Sequence, residues 1–105
     1  MTPDEIAEVC DRAADLLETD GWCRFQMHHL GHYCLVGALD RAAGGVCTHE
    51  HLDAVLVTLT DGVGDAPRAV GFGRMPLTCW NDRQTSRRPV VRLLRRTARQ
   101  QRGTA

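Results

Sequence analysis

Tyr-Cys-Leu-Val-Gly-Ala-Leu, residues 33–39, is the longest uninterrupted apolar run in the chain. Side chains of this kind on nearly every side of a helix are typical of a helix that is covered by several neighbours. The pattern continues to Ala43, and Gly44-Gly45 is a common helix stop. We therefore predict a central helix over about residues 32–43. With seven residues, the run is much shorter than the roughly 20 needed to cross a bilayer, so no membrane span is predicted.

An amphipathic helix is predicted before this central helix. Thr2, with Glu5 three residues later, forms a capping-box pattern, and Pro3 takes the first helical position, where its missing N–H costs nothing. The apolar residues that follow have the i, i+3, i+4, i+7 spacing of one buried face. They are Ile6, Val9, Cys10, Ala13, Leu16 and Leu17. This helix should end near Thr19, and residues 22–31 are predicted to form an irregular linker.

The segment after the central helix is harder to assign. Thr48 can cap a third helix over residues 48–59, but Val and Thr residues within 55–59 also suit a strand. Residues 61–77 are rich in glycine and contain Pro67 and Pro76, which predicts a loop with room for a short strand at 69–72. The sequence therefore leaves helix, strand and loop open for 55–59 and 69–72.

A last helix is predicted near the end of the sequence. Trp80-Asn81-Asp82 closes the loop, with Trp80 at the core edge and one of the two polar side chains satisfying backbone groups of the turn. A binding surface is the alternative role for this triplet. Ser86 is the expected helix cap, and Pro89 then falls at the third helical position. The helix should fray near Gln101, leaving 101–105 as a tail.

These elements predict a mainly α fold: a compact bundle of about four helices around a central apolar helix, with room for one short strand or hairpin. The chain has 105 residues, of which 43% are hydrophobic. This is enough for one core and too little for two, so residues 1–105 are expected to form a single domain.

Several marks occur in order along the chain: Gly21-Trp22, the run at 33–39, residues 80–82, and a closing Val91-x-x-Leu94-Arg95-Arg96-x-Ala98. Together they resemble a small domain family of unknown function that is found in actinobacteria and their phages. In that family the Trp-Asn-Asp triplet is usually followed by a Gly-Arg-Thr turn and an acidic first helical turn, which residues 83–88 replace with a basic segment. The resemblance implies no reaction.

Charge is divided between the two ends of a chain that is neutral overall. The totals are 13 basic and 13 acidic residues, and every basic residue is arginine. Residues 1–20 hold seven acids and one arginine, whereas residues 83–105 hold eight arginines and no acid. The apolar residues of the last helix fall on one face, so most of its arginines should lie on the opposite face and point away from the acidic face of the first helix. Neutralisation between the two charged faces should then be limited to their rims. The predicted partner-binding residues are Arg88, Arg92, Arg95, Arg96, Arg99 and Arg102.

Three roles are open for this basic face. It can simply be solvated, bind nucleic-acid phosphates, or dock on an acidic protein surface, including the acidic helix of a second copy in a homo-oligomer. The chain has no recognisable nucleic-acid-binding motif, and its few aromatic residues are not interleaved with the arginines.

A thiol-dependent hydrolase is the alternative function. Cys34 falls in the first turn of the central helix, where the helix dipole favours a thiolate, and histidines including His32 are close in sequence. With Asn81 orienting an imidazole, these residues would make a Cys-His-Asn arrangement. The competing interpretation is that Cys34 is a small buried hydrophobe.

A zinc site is a further alternative, because the chain holds ten Cys and His residues. The candidate ligands are Cys23, His28, Cys34, Cys47, His49 and His51. No C-x2-C pair is present, and dispersed thiols with surface histidines explain the same composition, so no cofactor is predicted.

The leading functional prediction is a small non-enzymatic interaction or regulatory module that presents its arginine-rich helix to an anionic partner. The chain begins Met1-Thr2-Pro3-Asp4-Glu5, unlike the basic and apolar start of a secretory signal. We therefore expect a cytoplasmic protein whose five cysteines are reduced.

Overall fold

The computed structural model describes residues 2–26, 28–44, 54–59 and 74–104. Within these ranges the protein has five helices, four of them with seven or more residues, and the predicted mainly helical bundle is confirmed. The helices are α1 (Pro3–Thr19), α2 (Leu35–Ala43), α3 (residues 54–59), α4 (Arg74–Arg83) and α5 (Arg88–Thr104). Two short strands, β1 (His28–His29) and β2 (His32–Tyr33), pair in an antiparallel hairpin between α1 and α2.

Helix α1 begins and ends where the sequence predicts. The Thr2 side chain accepts a hydrogen bond from the Glu5 amide at 3.2 Å, and the Thr2 amide donates to the Glu5 carboxylate at 3.3 Å. This reciprocal pair is a capping box, which satisfies two donors that a helix start otherwise leaves unpaired. The predicted apolar face is in the core, with Leu16 at its partly buried edge.

Helix α2 lies at the centre of the fold. Its apolar side chains are almost completely buried between α1, which packs along one side, and α4. Helix α5 packs mainly against α1 and places Val90, Leu93, Leu94 and Ala98 in the same core. The predicted central helix and the predicted apolar face of the last helix are therefore both present.

The predicted start of α2 is wrong by three residues. His32 and Tyr33 belong to β2, and α2 begins at Leu35 with Cys34 as its N-cap. Backbone pairing explains the difference, because His32 and Tyr33 pair with His29 and His28 and so cannot enter the helix. The segment predicted as an irregular linker thus contains the hairpin.

The turn of this hairpin gives a stability prediction. Leu30 has φ +51° and Gly31 has φ +83°, the positive values that a two-residue turn between paired strands requires. Leucine pays about 1 kcal/mol or more for this backbone conformation, whereas asparagine adopts it readily. Since Leu30 is 85% exposed, its replacement loses no core contact. We expect Leu30→Asn to raise the free energy of unfolding by about 1 kcal/mol in urea denaturation.

The matched control for this prediction is Leu30→Ala, which removes the same exposed side chain but keeps the unfavourable conformation. It should stay within about 0.5 kcal/mol of the natural protein. Equal stability of the Asn and Ala variants would contradict the role assigned to the turn.

Helix α3 resolves one of the two open assignments, since residues 55–59 are helical. Val55, Leu56 and Leu59 are buried, whereas Val57 is exposed, as expected for a helix with one face on the core. The predicted cap at Thr48 and the predicted short strand at 69–72 lie outside the described residues.

The structure corrects the predicted loop at its C-terminal end. Residues 74–77 and the Trp80-Asn81-Asp82 triplet belong to α4, where sequence indicated a loop and its closing turn. Pro76 is the third residue of this helix, and the first N–H groups of a helix have no partner inside it, so a proline there costs little. The proline that suggested a loop is therefore compatible with a helix start.

Helix α5 differs from its prediction at both ends. It begins at Arg88, and the Arg87 carbonyl accepts from the Val91 amide at 2.9 Å, so Arg87 and not Ser86 precedes the first turn. It continues to Thr104 instead of fraying near Gln101. An ion pair between Arg102 and α1, described below, holds this last turn in place. None of the described helices is long and apolar enough to cross a membrane.

Candidate functional site

Five of the six predicted arginines of α5 divide into two groups, and the first group is bound by the protein's own carboxylates. Arg95 contacts Asp11 at 3.1 Å, Asp15 at 2.7 Å and Glu18 at 3.2 Å. Arg102 contacts the other Asp11 oxygen at 2.6 Å. Because α1 and α5 pack side by side, the rims of their charged faces meet, and the neutralisation predicted to be limited to these rims includes Arg95 and Arg102.

The titration of this cluster follows from its geometry. Burial alone would raise the pKa of Asp11, but hydrogen bonds from Arg102 and Arg95 outweigh it and lower the pKa below the ordinary value. The pKa of Arg95 is raised, first by its hydrogen bond to Asp15 and against the opposing effect of burial. Both ions are thus held in their charged forms, and neither Arg95 nor Arg102 is available to an outside partner without losing these contacts.

The arginines of the second group are exposed to solvent, as predicted. Arg88, Arg92 and Arg99 are exposed, and none of them forms a hydrogen bond or ion pair with any residue in the described ranges. Their spacings of four and seven residues place them on one side of α5, in a row about 16 Å long at 1.5 Å per residue. Arg96 is also exposed but already has an interaction of its own. We call Arg88, Arg92 and Arg99 the arginine row.

Arg87, which is not among the six arginines predicted from the sequence, joins this surface. Its guanidinium donates to the carbonyls of Leu17 at 3.3 Å and Glu18 at 3.2 Å, at the end of α1. Helix α1 has no basic residue in its last turn, so Arg87 supplies the positive charge that the carbonyl end of a helix favours. No local pattern reveals this contact, because Arg87 and Leu17 are 70 residues apart.

A shallow groove of about 420 Å³ runs between the end of α1 and the start of α5. Its lining residues are Glu18, Arg87, Arg88, Val91 and Arg92. The Glu18 carboxylate is bound by Arg95, so the groove presents mainly guanidinium groups around the apolar, partly buried Val91. This arrangement suits an anionic group that carries an apolar neighbour.

Asn81 has a structural role that uses its entire amide. Its Oδ1 accepts from the Trp22 indole at 2.7 Å and from the Leu35 amide at 3.1 Å. Its Nδ2 donates to the Cys23 carbonyl at 3.2 Å and to the Asp82 carboxylate at 3.3 Å. Asn81 is completely buried, and these four bonds satisfy all of its hydrogen-bonding capacity. Its position inside α4 is unexpected, and the backbone groups that it satisfies belong to the distant residues Cys23 and Leu35, not to a turn beside it as predicted.

Asp82 and Gln84 hold the segment that precedes the hairpin. The Asp82 carboxylate accepts from the Phe25 amide at 2.8 Å, and the Gln84 carbonyl accepts from Arg24 at 3.0 Å. The Arg24 guanidinium also lies over the Phe25 ring, 5.2 Å from its centre. Phe25 has φ +70°, so this network holds a phenylalanine in a conformation that it rarely adopts.

A model of a family of unknown function, DUF6197, matches residues 1–100. The chain belongs to this family. No curated protein and no solved structure matches the chain. DUF6197 carries no assigned activity, so the roles of individual residues rest on the geometry of this domain.

Cys34, the candidate catalytic thiol of this DUF6197 domain, is in an environment that disfavours a reactive thiolate. The Cys34 side chain is only 2% exposed and accepts a hydrogen bond from the Gly37 amide at 3.4 Å as the α2 cap. Burial is the main cause of a raised Cys34 pKa, which disfavours the reactive thiolate. His32 has its Nδ1 3.4 Å from the Trp22 carbonyl, and Asn81 has no amide group left to orient an imidazole. The described residues therefore do not form the Cys-His-Asn arrangement.

The predicted zinc ligands are not brought together in the described part of the domain. No group of three or more His, Cys, Asp or Glu side chains in the described ranges could hold a metal ion. Cys23 and Cys34 are within those ranges as free thiols, whereas Cys47, His49, His51 and the side chain of His28 are outside them.

Proposed function

We propose that this DUF6197 domain is a small non-enzymatic interaction module that binds an acidic protein segment through the arginine row. The observation that carries the proposal is the division of the α5 arginines. Arg95 and Arg102 are neutralised by α1, whereas Arg88, Arg92 and Arg99 have no partner among the described residues. Like charges four residues apart repel each other, so an anionic partner would relieve an unfavourable interaction.

An acidic protein fits better than nucleic acid as this partner. The formal net charge is zero and the pI is about 6.9, whereas nucleic-acid-binding domains are usually strongly basic. The molecule also contains an example of the chemistry, because Arg95 binds three carboxylates of a single helix at spacings of four and three residues. A partner helix with carboxylates at similar spacing would meet Arg88 and Arg92 in the same way.

The groove beside the row adds a second element to the proposal. Arg87 is held by the end of α1, so its guanidinium is already placed and loses little conformational freedom on binding. Val91 offers apolar surface between the charges. The proposed partner is therefore an acidic segment with an apolar side chain next to its carboxylates.

We also propose a cytoplasmic location and an actinobacterial or phage origin for the protein. A homo-oligomer, in which α1 of a second copy is the acidic helix, is one form that the proposed interaction can take. Light scattering at low and high salt tests for this homo-oligomer. A monomer mass in both conditions would exclude self-assembly, whereas a larger mass at low salt only would identify a second copy as the partner.

The direct test uses a synthetic helical peptide with glutamates at positions i, i+4 and i+11 and a leucine at i+3. Fluorescence anisotropy would compare its binding to the natural protein and to Arg88→Glu/Arg92→Glu. We expect the variant to bind at least about tenfold more weakly at low salt, since a tenfold loss corresponds to 1.4 kcal/mol. An analogue with glutamine in place of glutamate should not bind measurably.

Arg41→Glu/Arg83→Glu is the matched control, because it makes the same charge change at two exposed arginines outside the row. It should leave the dissociation constant within about twofold. Equal losses in the two double variants would refute a specific role for the row. Tighter binding to a DNA duplex than to the acidic peptide would assign the row to nucleic acid instead.

A further inference from the structure

Cys23 and Cys34 occupy neighbouring positions where two segments of the chain pair side by side before α2. Trp22 and Tyr33 form an isolated parallel bridge. The Tyr33 amide donates to the Gly21 carbonyl at 3.0 Å, and the Tyr33 carbonyl accepts from the Cys23 amide at 3.0 Å. The next residue on each strand of this bridge is a cysteine, Cys23 on one and Cys34 on the other.

This register puts the two residues within reach of a disulfide bond. Neighbouring strands lie about 4.8 Å apart, and disulfides join Cα atoms about 4.4–6.8 Å apart. Opposite residues of a strand pair point to the same face. In agreement, Cys34 is buried in the core and Cys23 is partly buried against it.

Asn81 holds both backbone segments, the one with Cys23 and the one with Cys34, in this position. Its Nδ2 donates to the Cys23 carbonyl, and its Oδ1 accepts from the amide of Leu35, the residue that follows Cys34. One buried side chain therefore connects the backbone segments of the two cysteines. The closeness of the two cysteines also affects the pKa of Cys23, which is raised first by burial and next by the neighbouring Cys34 sulfur.

We propose that Cys23 and Cys34 form a thiol–disulfide site that is oxidised by a low-molecular-weight disulfide, with Cys23 as the entry thiol and Cys34 as the resolving thiol. Cys23 is partly exposed, whereas Cys34 is 2% exposed and can be reached only from inside the protein. Oxidation would close a ring around the hairpin and replace the hydrogen bonds that Cys23 makes to the Gln26 carbonyl and Cys34 accepts from Gly37.

The exchange proceeds in two balanced steps. The Cys23 thiolate attacks one sulfur of the small disulfide, which forms a mixed disulfide and releases one thiolate. The Cys34 thiolate then attacks the Cys23 sulfur, which forms the Cys23–Cys34 bond and releases the second thiolate. Each cysteine proton ends on a released thiolate, and the two electrons lost by the cysteines reduce the small disulfide to two thiols. Because burial raises the pKa of both cysteines, the rate should increase with pH.

The test treats the folded full-length protein with glutathione disulfide at mildly alkaline pH, blocks remaining thiols, and digests it with trypsin without reduction. Cleavage after arginine places Cys23 in the peptide 13–24 and Cys34 in the peptide 25–41. We expect mass spectrometry to find these two peptides joined, with the intact protein two hydrogen atoms lighter. Unfolding the protein in urea before oxidation should lower the yield of this linked pair at least about fivefold, because the proximity is then lost.

Two variants make the result specific. Cys34→Ser keeps a good helix cap and should therefore fold, but it should stop at a stable glutathione adduct on Cys23. Cys79→Ser removes the other thiol that is partly buried among the described residues and should leave the yield of the linked pair unchanged. Three outcomes would overturn the proposal: a Cys23–Cys79 link, a wild-type protein that stops at the Cys23 adduct, or a folded protein in which Cys23 does not react at all.

Discussion

Replacing Asn81 by alanine should lower the free energy of unfolding by about 3 kcal/mol, because it leaves several buried polar groups without partners. The Trp22 indole, the Leu35 amide and the Cys23 carbonyl all lose a hydrogen bond in this variant. A buried group that loses its partner costs about 1–3 kcal/mol, and more than one is affected. Urea denaturation, followed by circular dichroism, measures the loss.

Ser86→Ala is the control for Asn81→Ala. Ser86 is exposed, makes no hydrogen bond with the described residues, and does not cap α5. Its replacement should change stability by no more than about 0.5 kcal/mol. A loss of less than about 1 kcal/mol in Asn81→Ala would contradict the role of Asn81 as the connection between α4, the Trp22 segment and α2.

Asn81→Asp separates the two halves of the amide. A carboxylate can still accept from Trp22 and Leu35, but it cannot donate to the Cys23 carbonyl, and it places a second negative charge beside Asp82. We expect this variant to be destabilised as well, and to recover part of its stability at acidic pH, where the new carboxyl group becomes a neutral donor.

The parts of the fold that the sequence predicts depend on local signals. The capping box at Thr2, the apolar face of α1 and the all-round apolar surface of α2 are patterns within a few turns of one helix. The hairpin gives no such signal, because Leu30-Gly31 is not a common turn pair for its geometry. Helix α4 is missed because Pro76 suggests a loop, although the position of this proline in the first turn is compatible with a helix.

The candidate site is predictable only in part for a different reason. The amphipathic pattern of α5 identifies all six arginines as one face, but it does not show which of them meet α1. This depends on how two helices that are far apart in sequence pack, since Arg95 and Asp11 are separated by 84 residues. The roles of Asn81 and Arg87 likewise come from contacts between distant segments. Spacing along the chain therefore indicated the chemistry of the site, and packing decided which residues remain accessible.

The arginines of α5 that pair with α1 should contribute more to stability than the arginines of the arginine row. Arg95→Ala is expected to lower the free energy of unfolding by about 1.5 kcal/mol at neutral pH and low salt, because it removes three ion pairs from one network. The side chains of Arg95 and Asp11 are 32% and 28% exposed, whereas Asp15 and Glu18 are more exposed and should contribute less. Arg99→Ala, on the same helix but without an ion pair to any described residue, should change stability by less than about 0.5 kcal/mol.

The pH dependence of the Arg95→Ala effect follows from the lowered pKa of Asp11. The unfolded chain has an ordinary aspartate pKa of about 3.9, so the stabilising contribution of ionised Asp11 is fully present above about pH 5. It is lost as the pH falls below 4 and passes through the lower pKa of the folded state. Denaturation curves of the natural protein and Arg95→Ala should therefore converge in acid, and 0.5 M salt should reduce their separation at neutral pH. A separation that stays constant down to pH 2, or an equal loss in Arg99→Ala, would show that Arg95 acts through packing and not through its carboxylate partners.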